Sequence, residues 1–260
     1  MRRAFRAELI KLARPRLLTL AAVAAILFAV GSAAAGILNA QPASAHADGP
    51  VLDGFARADG GSLAFTMAAS FAGAFLLAVF AGAVGVEFSR GTLRTLLLRQ
   101  PDRHRLLAGK LGAVLAFAAV AVAVSLAASV AASVAFAGSR GLDVGVWFTG
   151  AGLRGMARDY GLVMLAVTGW ALLGAAIGVL VPSLPVALAV GVGWAGPVEQ
   201  VFGEAWGPAT RWFPGLLLES LLDPDPGSPG STRALVTLGC YCVVAVTAAV
   251  VVLRRRDVTS

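Results

Sequence analysis

The feature that most constrains the fold of this chain is a series of six apolar runs, none of which contains a charged residue. A helix needs about 20 apolar residues to cross the hydrocarbon core of a bilayer. Within lipid each run has to be helical, because unsatisfied backbone N–H and C=O groups there are strongly unfavourable. The runs are continuous rather than alternating, which excludes an outer-membrane barrel. We therefore predict six spans, at about residues 17–38, 62–86, 111–137, 160–181, 184–202 and 234–253.

The fifth run is the shortest. Leu184–Val198 has 15 residues, which make about 22 Å of helix at about 1.5 Å per residue. Either this span extends past Glu199 to about Phe202, or the chain turns back within the bilayer.

Composition supports an all-α integral membrane protein that forms a single domain over residues 1–260. Hydrophobic residues make up 58% of the chain and charged residues 13%, and the mean hydropathy is +0.82. Soluble domains are nearer to half apolar and a quarter charged. The excess of apolar residues lies in the six runs.

The distribution of charge predicts the orientation of the spans. With both termini and the segment Glu87–Lys110 in the cytoplasm, 15 of the 21 basic residues face inward. Only four of the 14 acidic residues do so. Basic residues concentrate on the cytoplasmic side of membrane proteins. The net charge of +7 is therefore a consequence of topology and gives no reason to expect a nucleic-acid partner.

The N-terminal residues support more than one interpretation. Basic residues, an apolar run and the small residues 43–47 resemble a signal peptide, but a run of about 22 residues exceeds the 7–15 of a signal core. We prefer an amphipathic elbow helix that lies on the bilayer and enters the first span near Pro15. Phe5 would then face lipid, and Arg6 and Lys11 would meet lipid phosphates. A basic anchor that only sets orientation fits the same residues.

Several kinds of chemistry have no support in the sequence. No nucleotide-binding loop is present, since Gly109-Lys110 is followed by Leu111 and lacks the upstream glycine. The two histidines fall on opposite sides of the predicted topology, so no histidine metal site is expected. Cys240 and Cys242 point about 200° apart on a helix, so a disulfide between them is not expected. No charged residue lies near the middle of the first four spans or the last, which opposes an ion-coupled transporter.

Small polar residues form stripes within the spans. Ser125, Ser129 and Ser133 recur at every fourth residue of the third span, and Thr66 and Ser70 do so in the second. Gly174 and Gly178 are a similar pair in the fourth. Such stripes allow helices to pack closely, and we favour that reading over the alternative, in which the hydroxyls line a substrate path.

The segment Glu87–Lys110 is the one long basic stretch inside the chain, with a net charge of +4. As a helix, Phe88–Leu98 places its leucines on one side, with Arg90 and Arg94 one turn apart beside them. Pro101 then ends the helix. The simpler alternative is a solvated loop that has no partner.

This segment resembles the permease subunits of type-2 ABC exporters, a family that includes small bacterial drug, lantibiotic and sodium export permeases. The resemblance rests on Glu87-Phe88-x-x-Gly91-Thr92-Leu93, on Pro101 and on Gly109-Lys110. The N-terminal Glu8-Leu-x-Lys11-Leu also looks like the elbow of that family. The resemblance implies that the elbow helix includes Phe5, Arg6, Glu8 and Lys11.

The resemblance implies a function and its partners. The segment would be a coupling helix that docks onto a separate ATPase subunit through Glu87, Phe88, Arg90, Gly91, Thr92, Leu93, Arg94, Arg99 and Arg103. Two permease copies, as a homodimer, would pair with two ATPase subunits that hold ATP and Mg²⁺, and this chain would bind no cofactor or metal and catalyse no reaction. The location would be the bacterial cytoplasmic membrane, and the cargo hydrophobic or amphipathic. Residues 102–105 are atypical of the family and would bear on the choice of ATPase.

The resemblance also implies a helical hairpin outside the membrane between spans five and six. In that stretch the apolar run Trp212–Leu222, which contains Pro214, fits a short re-entrant or interfacial helix. Two other classes of function remain alternatives. One is a membrane anchor or signalling partner that does not transport, and the other is a secondary transporter.

Overall fold

The computed structural model describes residues 2–41, 52–89, 103–181, 183–222 and 230–255. All regular secondary structure in these ranges is helical, which confirms the predicted all-α class. The α-helices are α1 (Arg2–Leu12), α2 (Pro15–Leu38), α3 (Leu52–Phe55), α4 (Leu63–Phe71), α5 (Gly73–Ser89), α6 (Arg103–Ala137), α7 (Gly150–Leu180), α8 (Leu184–Gly193), α9 (Glu199–Ala205), α10 (Pro214–Leu222) and α11 (Ser231–Arg255). Short 3₁₀ turns cover Ala58–Ser62, Gly138–Arg140, Val144–Phe148 and Gly207–Arg211.

Five helical segments of the described chain are long and apolar enough to cross a membrane: Pro15–Leu38, Arg105–Arg140, Gly150–Leu180, Pro185–Ala205 and Ser231–Val252. A sixth is obtained if α4 and α5 together form one span. The protein is therefore a multi-pass membrane protein by the length and composition of its helices.

The second predicted span, residues 62–86, is not one continuous helix. α4 ends at Phe71 and α5 begins at Gly73. Gly73 packs against the indole of Trp170 so closely that a Cβ atom on the glycine would lie 2.7 Å from the ring. The sequence predicts an uninterrupted span because Ala72 and Gly73 are as apolar as their neighbours, and hydropathy does not register a break in the helix.

The fifth predicted span continues beyond Val198. A π-helical turn, Trp194–Val198, joins α8 to α9, and the helical path ends at Ala205. This turn contains Pro197. Proline lacks an N–H and crowds the preceding helical turn, and the wider π turn accommodates it. Of the two alternatives left open by the sequence, the longer span agrees with this path.

The described residues divide into two compact units. The first comprises Met1–Lys11, Ala72–Ala116 and Leu165–Ser260. Its core contains Val84 of α5, Ala175 and Val179 of α7, and Ala249 of α11. Here α5 and α7 approach with almost no side chain between them, at Gly174 and Gly178.

The second unit comprises Leu12–Phe71 and Phe117–Met164. Its core contains Ile37 of α2, Phe55 of α3, Ala64 of α4 and Ala132 of α6. Trp147 is fully buried, and its indole Nε1 donates to the carbonyl of Phe55 at 2.9 Å. These contacts attach the turns that follow α3 and α6 to one another within this unit.

Candidate functional site

The two ends of the basic segment are described, and they are helical. Glu87 and Phe88 belong to the last turn of α5, and Arg103 is the first residue of α6. The other predicted coupling residues lie outside the described residues: Arg90, Gly91, Thr92, Leu93, Arg94 and Arg99. The candidate site therefore consists of the described end of the basic segment, where α6 contacts α1.

An ion pair links the end of the basic segment to the N-terminal helix. Lys110 Nζ lies 2.5 Å from Glu8 Oε1, and both side chains are largely enclosed, with 9% and 13% of their surface exposed. Glu8 also accepts from Lys11 Nζ at 2.8 Å, but the Lys11 side chain is 49% exposed. A carboxylate held by two ammonium groups forms stronger hydrogen bonds than neutral partners do.

The electrostatics of Glu8 follow from this position. Burial raises the pKa of its carboxyl, but the hydrogen bonds and charges of Lys11 and Lys110 outweigh that effect, so the pKa lies below its ordinary value of 4.5. At neutral pH Glu8 is therefore ionised and paired, and the pair stabilises the contact between α1 and α6.

α1 packs beside this pair through an aromatic ring. A Cβ atom on Gly112 would lie 3.5 Å from Cδ2 of Phe5, so the ring rests on α6 close to Lys110. Phe5, Glu8, Leu9 and Leu12 are half-buried, whereas Arg6, Ile10 and Lys11 are exposed. Residues 2–12 are helical, as α1, and the ring of Phe5 contacts α6. That α1 is an elbow helix lying on the bilayer stays a prediction.

The sequence did not predict the partnership of Glu8 and Lys110. One signal for it exists: Glu8 is the only acidic residue among the N-terminal basic residues, and Lys110 is the last charge before the third span. Their separation of 102 residues gives no periodicity from which a contact could be inferred.

The predicted hydroxyl stripes lie in the second unit and are mostly enclosed. Ser129 and Ser133 are fully buried, and their Oγ atoms have no hydrogen-bond partner among the described residues. Ser125 is half-buried. Thr66 donates to the carbonyl of Leu63 at 2.9 Å, and Ser70 donates to that of Thr66 at 3.2 Å. This burial is what helix packing requires, while the role of these residues in a substrate path stays a prediction.

Sequence reasoning missed a buried carboxyl group, that of the first residue of α9. Glu199 is only 1% exposed, and its Oε2 accepts from the backbone N–H of Leu216 at 3.1 Å. Its Oε1 has no hydrogen-bond partner among the described residues. The predicted span 184–202 contains Glu199, but the residue lies near the end of that span, where a carboxyl group is expected to reach water.

Aromatic rings hold the chain beside Glu199. Phe213 makes edge-to-face contacts with Trp194, Phe202 and Trp206, at centroid distances of 5.7, 5.8 and 6.2 Å. The next residues, Pro214 and Gly215, begin α10. The resemblance placed a short helix at Trp212–Leu222, and the structure has α10 there.

Among the described residues no group of three histidine, cysteine, aspartate or glutamate side chains could hold a metal ion.

A family model described as a protein of unknown function (DUF2705) matches residues 19–192, about two thirds of the chain. A search of curated proteins gave no match. The matched range begins in α2, contains the whole basic segment and ends in α8.

Proposed function

The chain belongs to the DUF2705 family, and we propose that it is the membrane-spanning permease subunit of an ATP-driven exporter. Two observations support the proposal, and a third carries it. Five or six helical segments can cross a membrane, and a basic segment with the Gly91-Thr92-Leu93 motif connects α5 to α6.

The observation that carries the proposal is the ion pair between Glu8 and Lys110. Lys110 is the last residue of the basic segment, and Glu8 belongs to α1. A force applied to the segment by a soluble subunit would act on α6 directly and on α1 through this pair. A solvated loop without a partner has no need of such a connection.

The complete assembly follows from this role. Two copies of the chain would pair as a homodimer in a bacterial cytoplasmic membrane, each with six spans and cytoplasmic termini. Each would bind one ATPase subunit, which holds the ATP and Mg²⁺ that this chain has no loop to bind. Closure of the ATPase subunits would alternate the spans between inward-open and outward-open states and move a hydrophobic or amphipathic cargo outward.

The test begins with a search for a gene that encodes an ATPase with a nucleotide-binding loop beside the gene of this chain. The two proteins are then reconstituted together in vesicles. We expect the chain alone to hydrolyse no ATP, and the complex to show transport that depends on ATP. Arg90→Glu or Arg94→Glu should uncouple hydrolysis from transport while the permease stays in the membrane. The matched control is Arg57→Glu, a basic residue that the proposed topology places on the other side. Normal transport and ATPase binding in the Arg90 and Arg94 variants would contradict the coupling role.

A secondary transporter is the second candidate, and the burial of Glu199 favours it. Ionisable residues inside membrane segments commonly mark ion or proton pathways. Vesicles that respond to an ion gradient but not to ATP would replace the first proposal with this one. A chain that transports nothing under either condition would support the membrane anchor.

A further inference from the structure

We propose that the Glu199 carboxyl is a proton-binding site that fastens α10 to α9. It carries a proton in the structure described, and loss of that proton releases α10. The proton passes to water, and the only covalent bond that breaks is the O–H bond of the carboxyl group. The proposal does not rest on ATP-driven transport, since it concerns a contact within the first unit alone.

The first step of the argument is the incomplete pairing of this carboxyl. Oε2 accepts the backbone N–H of Leu216 at 3.1 Å, and the backbone N–H of Gly215 and the Trp194 indole also favour the charged form. Oε1 has no hydrogen-bond partner within the described part of the chain, and the effect of burial is larger than that of these donors. An ionised carboxylate that is removed from water requires pairing, and without it the group becomes neutral instead. With 1% of the residue exposed, the carboxyl group is separated from bulk water.

The second step is the charge that surrounds the site. The parts of α7 and α8 in this unit carry no ionisable residue, and α5 carries only Glu87, close to its far end. The last helix, α11, packs against α10 and carries Arg233, Cys240, Tyr241, Cys242, Arg254 and Arg255, of which Tyr241 donates its hydroxyl to the carbonyl of Trp212. From α10 the nearby charged group is Glu219, which accepts from Gln200 Nε2 at 3.1 Å, and a second negative charge opposes ionisation of Glu199. The positive end of the α10 dipole favours the ionised carboxylate. The stabilisation that a helix dipole provides is smaller than the free energy a carboxylate loses when it is removed from water.

The third step explains why ionisation would move α10. The start of α10 lies against the carboxyl so closely that a Cβ atom on Gly215 would overlap Glu199 Oε2. No space is left there for the water molecules that a carboxylate needs. Hydration therefore requires the start of α10 to move away. The π-helical turn directly before Glu199 is a type of irregularity that is frequent at functional sites.

The protonation state can be measured by infrared spectroscopy on the full chain in lipid nanodiscs at neutral pH. We expect the C=O stretch of a protonated, buried carboxylic acid in the wild type and its loss in Glu199→Gln. Glu204→Gln is the matched control, because Glu204 lies on the same helix and is exposed, and this variant should keep the band. Absence of the band from the wild type overturns the proposal. So does its loss in Glu219→Gln together with its persistence in Glu199→Gln, which would assign the proton to Glu219.

The release of α10 can be measured by thiol labelling after Cys240 and Cys242 are replaced by serine. Leu217 is fully buried on α10, and Leu217→Cys should react several-fold faster at mildly alkaline than at mildly acidic pH. An exposed reference, Val201→Cys on α9, corrects for the reactivity of the thiol itself. Adding Glu199→Gln should remove the extra pH dependence. An equal pH response with and without Glu199→Gln overturns the proposal.

If Leu217→Cys does not fold, the half-buried Ser220 of the same helix takes its place as Ser220→Cys, with the same two outcomes. The result is separable from the export proposal. Absence of ATP-dependent transport in a correctly folded wild type would sink the exporter and leave the protonation results unchanged.

Discussion

Lys110 Nζ lies 2.5 Å from Glu8 Oε1, although 102 residues separate the two along the chain. The pair joins the first helix of the protein to the first turns of α6, at the end of the basic segment. Its two side chains are more enclosed than those of a typical surface ion pair, whose contribution to stability is small.

Breaking this pair should lower stability measurably. Lys110→Met should decrease the free energy of unfolding by roughly 1–3 kcal/mol, because it leaves a largely enclosed carboxylate with only one charged partner. The measurement is thermal unfolding in detergent, followed by tryptophan fluorescence. Lys11→Met is the matched control, and its effect should be smaller because Lys11 is 49% exposed. Equal effects of the two variants would show that enclosure of the pair does not matter.

The contribution of the pair should depend on pH. Since the pKa of Glu8 lies below its ordinary value of 4.5, the pair stabilises the fold fully above pH 4.5 and loses this contribution as the pH falls through the lowered pKa. The difference in unfolding temperature between the wild type and Glu8→Gln should therefore be constant near neutral pH and shrink in acid. A difference that grows on acidification would contradict the assignment.

The contact between α5 and α7 should not tolerate added side chains. A Cβ atom at Gly174 would lie 2.7 Å from the carbonyl oxygen of Leu77, and one at Gly178 would lie 2.6 Å from that of Ala81. Both neighbours are backbone atoms, so the helices have to separate. Overpacking of this kind costs about 1–3 kcal/mol.

The measurement for this contact is the yield of folded protein and its unfolding temperature for Gly174→Ala and Gly178→Ala. Gly82→Ala is the control, because Gly82 lies on α5 and a Cβ atom added there would meet no other atom within 4 Å. We expect Gly82→Ala to be neutral or slightly stabilising, since alanine favours helix over glycine. A larger loss at Gly82 than at Gly178 would refute the close approach.

The indole of Trp147 should be important to the second unit. Trp147→Phe keeps an aromatic ring but leaves the carbonyl of Phe55 without its 2.9 Å donor. A buried acceptor without a partner costs about 1–3 kcal/mol. Proteolysis of the turns around residues 55–62 should become faster in this variant. Trp206→Phe, at a tryptophan that is 46% exposed, serves as the comparison and should change little.

The sequence predicted the helical class well, because hydropathy and charge are properties of local composition. Pro15 begins α2, as expected for a proline at the first helical position. Within the apolar run Trp212–Leu222, for which a short helix was predicted, Pro214–Leu222 forms α10 for a similar reason, since Pro214 starts it. The break in the helix at Ala72 was not predicted, because Ala72 and Gly73 are as apolar as the residues around them.

The candidate site was predicted only in part. Its proposed docking residues follow from a local motif, and the docking role of all of them, from Glu87 to Arg103, remains a prediction. The role of Glu8 beside Lys110 could not be derived, because an ion pair across 102 residues depends on how two helices are placed.

The sequence by itself determined that the protein is a set of apolar helices with a basic segment between two of them. Whether a run is helical and apolar, and whether a segment is basic, depends only on residues that are close together along the chain. Each such run meets the bilayer independently of the others. Only the tertiary structure decided that Lys110 meets Glu8 and that Glu199 is enclosed by the start of α10. The energy of a charged group is set by what surrounds it in space, and the order of residues along the chain does not contain that information.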